Sequence, residues 1–245
     1  MFANCISLFS VDILGNISIF EPECFANCKS LQVISIPDNI QRIERSSFLS
    51  CLSLPSIVIP EKITIIESNL FYECTNLSSI ELLGEISFIN DLAFYECSKL
   101  SSIEFNGINV SIKKSAFQQC TNLVNFTAFD VATIGNSAFF NCYNLSSFII
   151  TGNLLEIGEY AFESCSSLCS FPYMKNIQVI NVAIFRSCSK LESIEIPENI
   201  SSLGSSAFDS CSFLSTINIP QSVTEIGNFC FCGCSNLSSI AFNGN

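Results

Sequence analysis

The sequence contains no histidine, and this absence excludes several kinds of chemistry. Hydrolases that use histidine as a general base are excluded, as is every metal site with an imidazole ligand. The sequence also lacks a glycine-rich phosphate loop and any Cys-x-x-Cys pair of the kind that holds zinc. Acidic residues number 22, but no motif places two of them for acid–base catalysis. We therefore expect no enzyme, no metal site and no cofactor.

Basic residues are scarce, with ten lysines and arginines giving a net charge of −12. Nucleic acids and anionic membranes require a basic footprint, so we expect neither as a partner. No run of 18 apolar residues occurs, and the richest stretch, residues 179–185, is interrupted by Asn181. We therefore expect no membrane insertion. Residues 1–5 lack the basic segment of a signal peptide and are already in register with the repeat, so no signal peptide is expected.

What the sequence does contain is one pattern repeated eleven times. A phenylalanine recurs every 23 residues, with a single interval of 22 between Phe117 and Phe139. A cysteine follows each phenylalanine by three residues, and a leucine follows each cysteine by three. The phenylalanines are Phe2, Phe25, Phe48, Phe71, Phe94, Phe117, Phe139, Phe162, Phe185, Phe208 and Phe231. A fixed period between 20 and 50 residues is typical of stacked repeat architectures.

Apolar residues alternate after each leucine, as at Ile194 and Ile196, and this predicts a short strand with one buried face. One coil has too few inward residues to form a core, so successive coils must stack. We predict a single domain over residues 1–245, a right-handed, β-rich solenoid of about eleven 23-residue coils with a parallel sheet on one face. The first and last repeats are degenerate or incomplete.

Three local features carry further expectations. Glycines such as Gly204 follow the fourth apolar position and predict a tight corner with positive φ. The segment from that corner to the cysteine has room for one helical or 3₁₀ turn and no more. Pro172 lies within the strand of repeat eight, where the missing N–H predicts a local defect in the sheet.

Eleven of the 15 cysteines belong to the repeat column, which favours buried, reduced thiols over disulfides. The only dense group is Cys230, Cys232 and Cys234, and two of these three occupy repeat positions. Metal binding there is the less favoured alternative. A thiol-rich core points towards a reducing cytosol or an anaerobic organism.

The full pattern, Leu-x-x-Ile-x-Ile-Pro-x-x-Val-x-x-Ile-Gly-x-x-Ala-Phe-x-x-Cys, resembles the BspA-like class of leucine-rich repeats. The resemblance covers the chain from end to end. That class occurs on surface proteins of bacteria and parasitic protists, so the resemblance implies a cell-surface binding scaffold without catalytic residues. Because neither a signal peptide nor a membrane span is expected from this sequence, a cytoplasmic location remains an alternative.

The outward side of the strands is the expected binding surface. In repeats six to eight its residues become apolar, and a contiguous exposed apolar patch usually marks a contact site. Two acidic residues at equivalent positions extend the surface towards the N-terminus, as a like-charge pair or as two solvated acids. The candidate residues are Glu81, Glu104, Thr127, Phe129, Ile149, Pro172 and Met174. The alternative is that local distortion buries some of them.

The expected function is non-enzymatic binding of a protein, such as a host or matrix protein, or of a glycan, in the manner of an adhesin or surface antigen. The second hypothesis is an intracellular scaffold or regulatory interaction module. Both ends of the coil stack look open, which adds end-to-end self-association to the expected partners. Seven Asn-x-Ser/Thr sequons matter only if the chain enters a secretory route; they begin at Asn16, Asn76, Asn109, Asn125, Asn144, Asn199 and Asn236.

Overall fold

A computed structural model describes residues 1–243, in which 19 short strands and no helix are present. The strands form two rows along a solenoid, and each coil contributes to both rows where it is regular. The front row follows the repeat leucines and consists of β1 (Ser10–Val11), β3 (Val33–Ile34), β5 (Ser56–Ile59), β7 (Ser79–Leu82), β9 (Ser102–Phe105), β11 (Asn125–Ala128), β13 (Ser147–Ile150), β17 (Thr216–Pro220) and β19 (Ser239–Asn243).

The back row lies at the fourth apolar position of each repeat. It consists of β2 (Ile19–Phe20), β4 (Arg42–Ile43), β6 (Ile65–Ile66), β8 (Phe88–Ile89), β10 (Val110–Ile112), β12 (Val131–Ile134), β14 (Glu156–Ile157), β15 (Val179–Ile180), β16 (Ser202–Leu203) and β18 (Glu225–Ile226). Every pairing in both rows is parallel and joins neighbouring coils. The predicted parallel β-solenoid is confirmed, and the back row is a second ladder that the sequence pattern did not specify.

The ladders are divided into blocks. The front row pairs as β1–β3, β5–β7, β9–β11–β13 and β17–β19, and coils eight and nine contribute no front strand. The back row pairs as β2–β4, β6 through β14, and β15–β16–β18. The absence of a strand around Pro172 confirms the predicted defect, since proline supplies no N–H to a ladder.

Among the described residues, the third side of each coil is a chain of turns rather than a helical or 3₁₀ turn. Two positions in every regular coil have positive φ: the residue two before the phenylalanine and the residue just before the cysteine, as at Ser206 and Ser210. These residues donate across coils, as in the 2.8 Å bond from the Ser206 nitrogen to the Asn228 carbonyl. Inter-coil hydrogen bonds therefore offset the cost of the left-handed conformation, which is about 1–2 kcal/mol for a residue with a side chain.

The prediction of a positive-φ corner at the repeat glycines is wrong. Gly204 is not among the positive-φ glycines, which in the described residues are Gly152 and Gly233. Glycine is required at 204 for another reason: an added Cβ would lie 2.6 Å from the carbonyl carbon of Asn181 on the previous coil. The glycines thus permit close stacking of adjacent coils.

The core is built around the phenylalanine column. Adjacent rings stack with centroid separations of 5.0 to 5.8 Å. Repeat leucines such as Leu145 and strand residues such as Ile134 pack beside them and are fully or almost fully buried. Each coil thus contacts its copies above and below, as expected for a repeat core.

The cysteine column is hydrogen-bonded to the phenylalanine column. From Cys28 onward, each column thiol donates to the backbone carbonyl of the phenylalanine in the previous coil, at 3.0 to 3.3 Å. All 15 cysteines are free, and ten of the eleven column cysteines are buried. The exception is Cys5, in the first coil, which is exposed. Burial raises the pKa of the Cys74 thiol to about 12 and that of Cys120 far above its ordinary value.

We predict that Leu145→Ala lowers the free energy of unfolding by about 2–5 kcal/mol, because its side chain is fully buried. Ser147→Ala, a change in the same coil at a position pointing out of β13, should cost less than about 0.5 kcal/mol. Urea titrations of both variants measure the difference. Equal losses would contradict the assignment of inward and outward positions.

The buried thiols predict a loss of stability at alkaline pH. Their pKa values are raised in the folded protein, so the unfolded chain releases thiol protons first, above an ordinary pKa of 9.0. Stability should be fully present below pH 9 and fall between about pH 9 and 12, by at most about 1.4 kcal/mol per thiol per pH unit. Urea titrations at pH 8 and pH 10 measure this fall, which should be smaller in Cys120→Ala. Identical pH profiles for the variant and the original protein would refute the thiol as its cause.

Candidate binding face

The candidate binding face is the outward side of the front row, at the position four residues after each repeat leucine. Glu81 lies at this position on β7 and Glu104 on β9, and Glu104 is paired in register with Thr127 on β11. Thr127 is in turn paired with Ile149 on β13. Pro172 and Glu195 occupy the equivalent positions of coils eight and nine. The parallel register thus places these side chains in one row along the solenoid.

Three phenylalanines beneath the face fix the centre of this row. Phe126, Phe148 and Phe171 occupy the first inward strand position, which is isoleucine in most other coils. Phe126 stacks on Phe148 at 5.1 Å and Phe148 stacks on Phe171 at 5.4 Å. Each ring also makes edge-on contacts with the phenylalanine column. This block of aromatic rings gives the overlying strands a rigid support, as close aromatic packing does in general.

The exposed apolar residues lie above this block. Ile149 is 54% exposed, and Phe129, which follows β11, is 42% exposed. Thr127 and Pro172 are half-buried, while Glu81 and Glu104 are exposed to solvent. The structure therefore places six of the seven predicted residues at the surface.

Met174 is the exception, and its predicted exposure is wrong. The side chain is fully buried. Met174 occupies the repeat position of Pro60 and Pro197, whose carbonyls accept the hydrogen bond that closes the next turn; the Met174 carbonyl does the same for the Ile177 nitrogen at 3.0 Å. The position six after the leucine is therefore inward where the coil is regular at this turn, and equivalence with the prolines could have shown it.

Tyr173 is a surface residue that the sequence analysis missed. In regular coils the position five after the leucine is inward, as at Ile196, but Tyr173 is 52% exposed. The backbone of coil eight departs from the strand conformation around Pro172, which turns Tyr173 outward. Tyr173 replaces Met174 in the exposed apolar group, which consists of Phe129, Ile149 and Tyr173.

A second acidic flank lies at the other end of the face. Glu195 continues the row of outward residues in coil nine, and Glu192 and Glu198 are also exposed there. No ion pair involves them among residues 1–243. The face therefore has an apolar centre with acidic residues on both sides. The sequence signal for this flank was the repeat position of Glu195, the same as that of Glu81 and Glu104.

Grooves open where the strand ladders are interrupted. In the front row, a cavity of about 320 Å³ lies between residues 193–198 and β17. In the back row, cavities of about 240 and 480 Å³ lie between β4 and β6 and between β14 and β15. Each of these three grooves lies at a level where pairing between neighbouring coils is lost, and a cavity of about 290 Å³ also lies along the paired strands β10 and β12.

The cysteine group near the C-terminus is divided between the core and the surface. Cys230 and Cys234 are buried and Cys232 is exposed. Burial raises the pKa of the Cys230 thiol to about 12. Across the described residues, no group of three potential ligands is positioned to hold a metal ion. Residues 1–243 likewise contain no helix of the length and apolarity that would cross a membrane.

A family model described as the BspA type leucine rich repeat region matches the chain in three overlapping segments, residues 1–124, 88–212 and 168–245. These matches cover the whole sequence. No curated protein matches the chain.

Solved structures of bacterial leucine-rich repeat proteins share the fold. A leucine-rich repeat protein from Bacteroides ovatus is 24% identical, with a TM-score of 0.60 over 98% of this chain and 80% of that one. A leucine rich cell surface protein from Faecalibacterium prausnitzii is 24% identical, with a TM-score of 0.50 over 100% and 75% of the two chains. A T. pallidum leucine rich repeat protein is 24% identical, with a TM-score of 0.51 over 82% and 79%. At these identities the similarity shows the fold alone.

The opposite placements of Met174 and Ile149 predict opposite sensitivities. Met174→Ser should lower the free energy of unfolding by about 2–4 kcal/mol, because it replaces a fully buried side chain. Ile149→Ser should cost no more than about 1 kcal/mol, because it removes only a half-exposed strand residue. Thermal and urea unfolding of the two variants measure both values. A larger loss for Ile149→Ser than for Met174→Ser would reverse the two assignments.

Proposed function

Because the chain belongs to the BspA type leucine-rich repeat family, we propose that it is a non-enzymatic scaffold that binds a protein through the candidate binding face. The observation that carries this proposal is the exposed apolar group of Phe129, Ile149 and Tyr173 above the aromatic block. Exposed apolar residues grouped on a rigid surface usually mark a contact site.

The charges around the group define the chemistry of the partner. Glu81 and Glu104 lie on one side of the apolar centre and Glu195 on the other. A complementary partner has an apolar contact residue at its centre and basic residues at its rim. The acidic flanks should increase the association rate at low salt, while the apolar centre should set the dissociation rate.

We also propose a cell-surface location of the adhesin or surface-antigen type, which the family resemblance and the name of the F. prausnitzii protein support. The 15 free cysteines favour the second candidate, an intracellular scaffold, because free thiols persist in reducing compartments. Intact mass of the native protein separates the two: occupied sequons indicate the secretory route. End-to-end self-association of the solenoid stays a prediction that light scattering over a concentration series tests.

The double variant Ile149→Ser and Tyr173→Ser tests the binding face. A matched control is Val33→Ser with Val58→Ser, which removes two similarly exposed apolar residues from the same face in coils two and three. The partner is first captured with the intact protein and identified, and its affinity is then measured by calorimetry. We expect at least a tenfold loss of affinity for the first pair and less than a threefold change for the control.

Two results would reject the proposed face. One is unchanged affinity of the Ile149 and Tyr173 variant together with an unchanged melting temperature. The other is an equal loss for the control pair, which would indicate a contact spread over the whole front row. Capture of a glycan would reject a protein as the partner. The location of the binding face would then be tested with the same two pairs of variants.

A further inference from the structure

The front row has a seam between coil nine and coil ten. Full pairing would place residues 193–197 opposite β17, as β17 itself is placed opposite β19 with five residue pairs. Residues 193–197 instead form no strand, and the only ladder partner of β17 is β19. Among the described residues, no backbone hydrogen bond joins 193–198 to 216–220. Main-chain groups along both walls of the seam therefore lack ladder partners.

The seam is closed at both ends. Before it, the Phe213 nitrogen donates to the Ser189 carbonyl at 3.0 Å; beyond it, the Thr224 nitrogen donates to the Ser201 carbonyl at 2.9 Å. The back row is continuous here, because β16 pairs with β18. The opening is thus a slot of about 320 Å³, near the lower limit of ordinary ligand pockets.

The slot is too narrow for an inserted strand. In the core of these coils, the rings of Phe185 and Phe208 remain stacked at 5.7 Å. Insertion of a strand requires about 4.8 Å of additional separation between the walls, which this stack and the back row oppose. An occupant must therefore enter as a side chain from a segment that lies across the face.

The walls of the slot favour a cationic side chain. Glu195 and Glu198 line one wall, and Thr216 and Asn218 line the other. The unpaired main chain of the seam offers both N–H donors and carbonyl acceptors, so the preference for a cation comes from the carboxylates. Both Glu195 and Glu198 are exposed and without an ion-pair partner in residues 1–243. Arginine carries five donors on a planar group and no acceptor, so it can bond to both walls at once. A lysine ammonium is a compact charge and would reach one wall.

We propose that the slot between coils nine and ten binds an arginine side chain from an extended segment of a protein partner. This deepens the proposed function, because it names the group recognised at the acidic flank of the binding face. The arginine proposal depends on the proposed function in one respect: both take the partner to be a protein. The arginine donates to Glu195, Glu198 and the unpaired carbonyls of the slot, and its charge is neutralised there.

The test uses a fluorescently labelled peptide of alternating arginine and serine, eight residues long, at 150 mM salt, where long-range attraction to the acidic protein is screened. Peptides with lysine or glutamine in place of arginine are the ligand controls. We expect the arginine peptide to bind at least tenfold more tightly than the lysine peptide, and the glutamine peptide not to bind.

Two variants with the same change in charge locate the binding. Glu195→Gln with Glu198→Gln should weaken binding of the arginine peptide at least tenfold. Glu81→Gln with Glu104→Gln removes two carboxylates from the other acidic flank of the same face and should change it less than threefold. Asn218→Trp fills the slot without a change in charge and should abolish binding, with thermal melts confirming that each variant is folded.

Several results would overturn the proposal. Equal losses for the two glutamine pairs would indicate non-specific attraction, and equal affinity of the lysine and arginine peptides would remove the preference for arginine. Undiminished binding to a folded Asn218→Trp variant would place the peptide elsewhere. The assay does not need the native partner, so its failure leaves the Ile149 and Tyr173 test unaffected, and failure of that test leaves this one intact.

Discussion

Stacking of identical positions at one coil spacing is the constraint on which the rest of the structure depends. The phenylalanine rings set this spacing, and each column thiol ties its coil to the phenylalanine carbonyl of the coil before it. The same spacing brings the backbone at Gly204 close to the previous coil, and the left-handed residues of the turns are stabilised by inter-coil hydrogen bonds. Because the coils stack in register, outward residues at equivalent repeat positions line up, and they form a row along the binding face.

The periodic part of the fold could be predicted from the sequence because identical positions have identical surroundings. The inward placement of Leu145 and the burial of Cys120 follow from the repeat alone. The predictions were wrong where the chain departs from the repeat, or where residues at one repeat position adopt different conformations in different coils. Met174 takes the place of a buried proline, and Tyr173 turns outward because Pro172 breaks the strand. Backbone geometry, rather than residue type, decides such positions.

The candidate site shows the same division. The row from Glu81 to Pro172 could be predicted from the 23-residue period. The aromatic block beneath it and the seam beyond it could not. Substitution of phenylalanine for isoleucine at Phe126, Phe148 and Phe171 is visible in the sequence, yet its stacking depends on three-dimensional packing. The seam beside β17 leaves no mark in the sequence, since Ile194 and Ile196 keep the regular alternation. Loss of pairing there is a property of how two coils meet.

The interruptions of the two ladders divide the solenoid into blocks of coils that are joined by weaker junctions. Both rows are broken at the same level twice, between coils two and three and between coils seven and eight. Where both ladders are absent, adjacent coils are joined by the turn side, by the core columns and by a few further hydrogen bonds, such as that from the Asn181 side chain to the Ile157 carbonyl at 2.6 Å. In a chain of repeats, stability is the sum of coil terms and nearest-neighbour terms, so a weak junction separates cooperative blocks. The protein then consists of three linked elastic segments, and bending under load concentrates at the first joint, between coils two and three; at the second, the stack of Phe148 on Phe171 braces the coils beneath the apolar centre of the binding face.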